Sequence, residues 1–273
     1  MEGCPCFALA KDELGPVYRA QPGQTICQCG PTQPDFAAIR LYTIRSLTSL
    51  NGAAPVQLVL DHLSVARGTR TIISDLSLTV AAGQAVLLTG VNGAGKTTLI
   101  RAIAGLLAPS GGRIALEGAD FEGASDDREL AQHCHYVGHV NALKASLTVA
   151  ENLAFWADYL ADGQGPGKHS RTVLDGVLQQ LNLEALADIP TAYLSAGQKR
   201  RVGLARILMA KRPIWLLDEP TVSLDTASVE IVARLVNEHV ASGGLALIAT
   251  HLPLALTAPR TLHLKPAREV EAA

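Results

Sequence analysis

The sequence lacks a long apolar run and a surplus of either charge. Its longest apolar stretch, residues 245–259, contains His251 and Pro253 and is shorter than the roughly 18 residues of a membrane-spanning helix. The 23 basic residues nearly balance the 25 acidic ones, which excludes the strongly basic surface typical of nucleic-acid-binding domains. We therefore expect a protein with no nucleic-acid partner, which needs a separate spanning protein for any work at a membrane.

A disulfide framework is also missing. Four of the five cysteines form two close pairs, Cys4 with Cys6 and Cys27 with Cys29. Cysteines that are concentrated in this way near the start of a chain are not typical of a secreted disulfide scaffold. Their C-x-C spacing also differs from the C-x₂-C spacing of zinc sites. Acidic residues near the start argue against a signal peptide. We expect a reducing, cytosolic setting in which these cysteines are incidental.

Composition divides the chain into three parts. Residues 1–55 are rich in Pro, Gly and Gln and show no sustained period, which predicts a disordered or loosely packed extension. Residues 56–260 carry strand and helix patterns and form the predicted folded domain, and residues 261–273 are the predicted short tail. Because 48% of the residues are hydrophobic, the domain can build a sizeable core.

One stretch carries a phosphate-binding pattern. Residues 90–98, GVNGAGKTT, fit G-x-x-x-x-G-K-[ST], in which glycines let backbone N–H groups wrap around phosphate oxygens at a helix N-terminus. Lys96 would reach the β- and γ-phosphates, and the Thr97 hydroxyl would bind Mg²⁺. The predicted ATP-binding residues of this loop are Gly90, Asn92, Gly93, Gly95, Lys96, Thr97 and Thr98.

The residues around this loop predict a strand before it and a helix after it. Residues 84–89 form a short apolar run, and Leu99, Ile103, Leu106 and Leu107 recur at helical spacing. Alternating and short apolar runs elsewhere predict a small antiparallel sheet beside the nucleotide core. These runs are residues 57–60, 63–65, 76–80 and 113–116.

Residues 126–195 predict a mostly helical segment. A breaker-rich loop is expected at 162–168. The basic run Lys199, Arg200 and Arg201 is interpreted as a solvated helix face, although it could bind an acidic partner. Capping-box and spacing signals predict helices over about 148–160, 173–181 and 195–212.

A second acidic motif follows. Residues 214–217 are apolar and lead into Asp218 and Glu219, as expected of a buried parallel strand in the Walker B position. Asp218 would hold Mg²⁺, and Glu219 would orient or deprotonate the attacking water. The alternative is a core strand that ends in solvated acids.

Three further strings complete a family pattern. LSAGQ at 194–198, SLD at 223–225 and His251 after an apolar strand resemble the signature, D-loop and switch histidine of ABC ATPases. The resemblance implies an α/β fold: a RecA-like P-loop NTPase core with a small antiparallel β-subdomain and an inserted α-helical subdomain at about 140–200. It also implies ATP hydrolysis between two copies packed head to tail.

In such a dimer the signature of one copy faces the P-loop of the other. The resemblance implies that Ser195 and Gly197 donate hydrogen bonds to the partner's γ-phosphate, with Gln198 in the same segment. It gives His251 a catalytic role beside Glu219, in contact with the γ-phosphate. Asp225 would link the two sites.

Two positions depart from the family. His139 replaces the usual Q-loop glutamine, and Arg67 stands near the place of the aromatic residue that stacks on adenine. An arginine can also stack on a base. Because a histidine can bond to water or phosphate, His139 stays among the predicted ATP-binding residues.

Longer strings narrow the resemblance. Residues 136–156, 194–201 and 249–254 resemble the ATP-binding subunits of cytochrome c maturation haem exporters, the CcmA family. This implies a peripheral subunit on the cytoplasmic face of the inner membrane, bound to a multi-spanning protein. ATP hydrolysis would drive haem export or release of a haem carrier. The alternatives are an exporter of a lipid, drug or ion, and a nucleotide-gated binding module with little turnover.

Two clusters keep alternative interpretations. Phe155, Trp156 and Tyr159 form either a docking surface for the membrane subunit or part of the internal core. His133 and His135 would share one face of a strand, where they either bind metal or haem or simply lead into the Q-loop position.

Overall fold

The computed structural model describes residues 56–118, 127–160 and 171–266. The predicted extension, the predicted breaker-rich loop and most of the predicted tail lie outside the described residues. Within those three ranges no helix is long and apolar enough to cross a membrane.

The described residues form eight strands and six α-helices. The strands are β1 (Gln57–Arg67), β2 (Arg70–Ala81), β3 (Ala85–Thr89), β4 (Gly111–Glu117), β5 (Cys134–Val137), β6 (Ile214–Asp218), β7 (Leu245–Ala249) and β8 (Arg260–His263). The α-helices are α1 (Lys96–Ile103), α2 (Asp127–Gln132), α3 (Val149–Leu160), α4 (Arg171–Gln180), α5 (Ala196–Ala205) and α6 (Thr226–Ala241).

Strands β2, β1 and β4 form an antiparallel sheet in that order. Its buried face is made by alternating apolar residues, because side chains two apart on a strand share a face. The two short runs predicted in β1 belong to one strand, whose register shifts between Leu60 and Leu63 at His62, a residue with φ +49°. The shift is a β-bulge, which a pattern of alternation alone reads as a break.

The other five strands form a parallel sheet in the order β5-β6-β7-β3-β8. Every residue of β6 and β7 is buried, as expected of central parallel strands covered on both faces. The carboxyl ends of β3, β6 and β7 lie at one edge, so the loops that follow them converge there. The predicted α/β fold class, with an antiparallel subdomain beside a P-loop core, is confirmed.

The domain boundary predicted at residue 260 is misplaced. It falls at the start of β8, which pairs with β3 inside the parallel sheet. Leu264, just after β8, is buried in the same core as β3. The folded core therefore extends past residue 260, because one short strand completes the sheet edge beyond β3.

Helices α3, α4 and α5 form the helical subdomain. Thr148 and Glu151 make the predicted capping box at the start of α3, with bonds of 3.1 and 2.8 Å to each other's backbone N–H. Leu153 on α3, Val177 on α4 and Val202 on α5 pack in one buried cluster. Each such burial contributes about 1.5–3 kcal/mol, so packing rather than propensity holds these helices together.

Two helix ends differ from prediction. Helix α1 stops at Ile103 because Gly105, with φ +69°, ends it in a left-handed turn, and Leu106 is exposed rather than on the buried face. Helix α5 ends at Ala205, where the chain tightens into a 3₁₀ turn over Arg206–Leu208 instead of continuing to residue 212.

The outer edge of β5 is bonded by side chains. Three arginines donate to alternate backbone carbonyls of this edge strand and of the residue that follows it, where a neighbouring strand would otherwise bond. The pairs are Arg212 with Cys134 at 2.8 Å, Arg206 with Tyr136, and Arg200 with Gly138 at 2.6 Å. The segment that begins with α5 therefore covers this edge.

Candidate nucleotide-binding site

The loop between β3 and α1 has the strand–loop–helix geometry predicted for residues 90–98. Gly90 has φ +139°, and a Cβ there would lie 2.4 Å from the carbonyl oxygen of Leu264, so only glycine fits. Gly95, with φ +98°, is the N-cap of α1. The free N–H groups at the start of α1 therefore follow directly on the loop, as an anion site requires.

Lys96 is buried within this loop. Its ammonium group donates to the carbonyl oxygens of Gly90 at 2.7 Å and Val91 at 3.3 Å. These bonds hold a positive charge against the loop that would surround the phosphates. The position suits the role predicted for Lys96.

Thr97 and Asp218 meet where α1 faces the end of β6. The Thr97 hydroxyl donates to Asp218 Oδ1 at 3.0 Å. The Asp218 side chain is 1% exposed, and its Oδ2 accepts no hydrogen bond from the described residues; His139 Nε2 lies 3.7 Å away. A buried carboxylate oxygen without a donor is unfavourable, and hydroxyl and carboxylate oxygens are ligands that Mg²⁺ prefers. The residues present therefore fit a magnesium ion.

Glu219 and His251 form the next contact along this edge. The His251 backbone N–H donates to Glu219 Oε2 at 3.3 Å, and His251 Nε2 lies 3.3 Å from Oε1. Glu219 itself has φ +50°, which costs a non-glycine residue about 1–2 kcal/mol. Its N–H donates to the carbonyl of Ala249 at 2.8 Å, one of the bonds that hold this conformation. The alternative of solvated acids is wrong, since both Asp218 and Glu219 are buried.

Arg200 is a site residue that the sequence interpretation missed. It is 4% exposed rather than part of a solvated face. Its guanidinium donates to the backbone carbonyls of Asp218, Glu219 and Pro220 and to the segment around His139. Burial lowers the pKa of this group, while the charges of Asp218 and Glu219 act in the opposite direction. The run of three basic residues did not predict that Arg200 is buried, because the burial of one side chain on a helix depends on tertiary contacts.

The signature residues make their bonds with one another. The Ser195 hydroxyl accepts from the Gln198 N–H at 3.2 Å, and Gln198 Oε1 accepts from the Ser195 N–H at 2.8 Å, forming a capping box on α5. Ser195 is exposed. A Cβ at Gly197 would lie 2.7 Å from the carbonyl oxygen of Ser223, so the signature packs closely on the D-loop.

Asp225 has a local structural role in this chain. Its Oδ1 accepts from the Ser228 N–H at 2.9 Å and caps α6. These hydrogen bonds, first of all that with Ser228, hold the pKa of Asp225 below its usual value. The cap fixes the D-loop where it joins α6, next to the signature segment.

The two clusters left open by the sequence differ in their surroundings. Phe155 and Tyr159 are 56% and 70% exposed and stack on each other, which is inconsistent with an internal core. Trp156 donates to the carbonyl of Ala142 at 3.1 Å. His135 lies on the predicted strand and is buried, with Nε2 2.7 Å from the carbonyl of Ala210. In the described part of the chain no group of three or more His, Cys, Asp or Glu residues could hold a metal ion.

Comparison with known proteins agrees with this geometry. The ABC transporter family profile matches residues 73–222. The chain is 48% identical to the cytochrome c biogenesis ATP-binding export protein CcmA of Rhodopseudomonas palustris strain HaA2, over 71% of this chain and 92% of that protein. It is 47% identical to the protein of the same name from Bradyrhizobium diazoefficiens, over 70% of this chain and 89% of that protein.

A solved structure shows the same fold in a dimer. It is an ATP-binding cassette in a post-hydrolysis state bound to ADP and Pi, 25% identical, with a TM-score of 0.62 over 71% of this chain and 88% of that chain. The profile covers the P-loop and the Asp218–Glu219 pair, which converge at the carboxyl edge of the parallel sheet. The chain therefore belongs to the ABC transporter family and, within it, to the cytochrome c biogenesis ATP-binding export proteins, CcmA.

Proposed function

We propose that this ATP-binding subunit hydrolyses ATP as a head-to-tail dimer, and that hydrolysis drives a haem-handling membrane complex in cytochrome c maturation. One observation carries the proposal. The P-loop, the Walker B carboxylates and the switch histidine converge at one edge of the parallel sheet, and an oxygen of Asp218 there has no donor among the described residues.

The geometry supports positioning and electrostatic catalysis. The P-loop N–H groups and Lys96 would bind the β- and γ-phosphates, since both are held at the start of α1. Thr97 and Asp218 would hold Mg²⁺, whose charge neutralises phosphate oxygens. Glu219 would accept a hydrogen bond from the attacking water, and His251 keeps its carboxylate oriented.

A second copy of the chain would complete the site. Ser195 is exposed at the N-terminus of α5, where free N–H groups favour an anion. In the proposed dimer Ser195, Gly197 and Gln198 lie against the γ-phosphate bound by the other copy, and Asp225 links the two sites. The related cassette solved as a dimer with ADP and Pi supports this arrangement.

The membrane partner would bind through the aromatic face of α3. Phe155 and Tyr159 are exposed on one side of that helix, and Trp156 lies beside them. Exposed stacked aromatics are typical of protein-binding surfaces. We propose that they contact a multi-spanning subunit at the cytoplasmic face of the inner membrane, where hydrolysis drives haem export or the release of a haem carrier.

The test is Glu219→Gln, which keeps the shape of the side chain and removes its negative charge. We expect phosphate release to fall by at least about 100-fold, while ATP binding is kept and an ATP-dependent dimer accumulates in size-exclusion chromatography. Glu184→Gln, at an exposed position, is the control and should behave as wild type. Wild-type phosphate release by the Glu219 variant would contradict the assignment.

The cargo is tested in cells. In a strain that lacks this chain, the wild-type protein should restore c-type cytochromes, and Glu219→Gln should not. Normal c-type cytochromes in the deletion strain would favour another cargo. Full restoration by Glu219→Gln would favour a nucleotide-gated module that needs no turnover.

A further inference from the structure

We infer that Arg200 is a positioning residue. It couples the sheet edge that carries Asp218 and Glu219 to the signature segment of the same chain, which would face the nucleotide bound by the partner copy. The inference rests on the proposed function, since it requires ATP hydrolysis in a head-to-tail dimer. Arg200 lies on α5, the helix that begins at the signature.

All five N–H groups of the Arg200 guanidinium are used. Nε donates to the Pro220 carbonyl at 3.1 Å, and Nη2 donates to the carbonyls of Asp218 at 3.1 Å and Glu219 at 2.7 Å. Three consecutive carbonyls, beginning with that of the last residue of β6, are therefore held by one side chain. They include that of Glu219, whose backbone has the unfavourable φ of +50°.

The remaining two N–H groups hold the segment around His139. Nη1 donates to the Gly138 carbonyl at 2.6 Å and to Asn141 Oδ1 at 3.1 Å. These residues flank His139, which lies 3.7 Å from Asp218. One buried cation thus holds the backbone of the Asp218–Glu219 pair and the segment around His139 together.

The same side chain is rigidly connected to the signature. Ser195, the N-cap of α5, is five residues from Arg200, about 7–8 Å along the helix. A displacement of the carbonyls at 218–220 would therefore move α5 and, with it, Ser195. Because Ser195 would face the nucleotide of the partner copy, the state of one site would reach the other.

The fixed fork of a guanidinium is necessary for this arrangement. Arg presents five donors in a plane, whereas Lys presents three from a single nitrogen and cannot reach five acceptors. Arg201 provides a matched control on the same helix. Its Nη1 donates to the carbonyls of Leu181 and Asn182 at 2.9 and 3.0 Å, in the helical subdomain.

The experiment compares Arg200→Lys with Arg201→Lys in the full-length chain. Phosphate release is measured over a range of ATP concentrations, nucleotide binding with a fluorescent ATP analogue, and folding by thermal melting. We expect Arg200→Lys to lower kcat by about 10- to 100-fold, since small misplacements of catalytic groups have effects of this size. Its KM for ATP should change less than about threefold, and Arg201→Lys should change neither value more than that.

A second readout tests the coupling. In the Glu219→Gln background, Arg200→Lys should raise the ATP concentration needed for dimer formation, and Arg201→Lys should not. Asn141→Ala, which removes one acceptor of Arg200, should lower kcat in the same direction by a smaller factor and is measured if Arg200→Lys does not fold. Equal kcat in the two lysine variants, or loss of kcat in parallel with ATP binding, would overturn the inference. Absence of phosphate release from wild type would instead refute the proposed function.

Discussion

The P-loop and Walker B half of the site and the signature half differ in how their polar groups are satisfied. In the first half Lys96 and Asp218 are buried and charged, and one oxygen of Asp218 has no donor among the described residues. In the second half Ser195 and Gln198 satisfy each other in a closed capping box, and Ser195 is exposed. The first half therefore has a buried carboxylate oxygen that a cation could bind, and the second half has an exposed helix N-terminus whose capping side chains are already paired.

Because of this difference, we expect ATP binding to depend on the first half alone and ATP hydrolysis to depend on both halves. Buried charges at the P-loop make ligand binding favourable within one chain, because a bound cation and phosphates would compensate them. The exposed N-terminus of α5 contributes little to phosphate binding until a second protein surface excludes water from it. Variants in the two halves should consequently fail in different ways.

The largest effects are expected for variants that disable one half of the site and leave the other half intact. Lys96→Ala should lose ATP binding and phosphate release by more than about 100-fold, since it removes the charge that faces the phosphates. Ser195→Arg should keep ATP binding close to wild type and lose dimer formation and phosphate release. Isothermal titration calorimetry and size-exclusion chromatography measure the two properties.

Mixing these two variants gives a sharper result. A mixed dimer contains one site with an intact Lys96 on one copy and an intact Ser195 on the other. Phosphate release should therefore reappear on mixing, up to about half of the wild-type rate per dimer. A mixture as inactive as its components would show that the two halves do not meet across a dimer.

A smaller effect is expected where the signature packs on the D-loop. The Cβ of Gly197→Ala would lie 2.7 Å from the Ser223 carbonyl, so the loop must shift. We expect unfolding free energy to fall by about 1–3 kcal/mol and phosphate release by about tenfold, with ATP binding kept. Gly176→Ala on α4 is the control, because nothing lies within 4 Å of its added Cβ. Loss of ATP binding in the Gly197 variant would contradict the separation of the halves.

The last prediction concerns the pH dependence of the fold's stability and not the nucleotide site itself. Burial lowers the pKa of His135 and of His239 to about 4 from 6.5. Each is neutral when folded, so the unfolded chain binds more protons between those values, and stability falls as pH drops from about 6.5 to 4. The slope approaches about 1.4 kcal/mol per pH unit for each histidine.

Urea unfolding at pH 7.5, 6 and 5 measures this slope. His239→Gln should reduce it, because His239, stacked 4.0 Å from Trp215, no longer titrates. His263→Gln, at an exposed position, is the control. An unchanged slope in the His239 variant would contradict the burial argument.

The sequence predicted those parts of the molecule that local patterns determine. The P-loop, β6 and the capping box at Thr148 each have a short-range signature, and each lies where it was expected. The end of α1 was misplaced because the apolar spacing continues through Leu106 and Leu107, whereas Gly105 ends the helix before them. Burial of Arg200 was missed because five acceptors from two distant segments meet only in the folded chain. The role proposed for Ser195 needs a second copy of the chain, so it follows from the family resemblance and not from any periodicity within one chain.

The arginines along β5 have a consequence for assembly. An open strand edge can be extended by any chain that presents a free backbone, which leads to aggregation. Here Arg200, Arg206 and Arg212 occupy the acceptors of that edge from within the same molecule. Because these acceptors are already bonded, this edge is prevented from pairing with the strand edge of another chain.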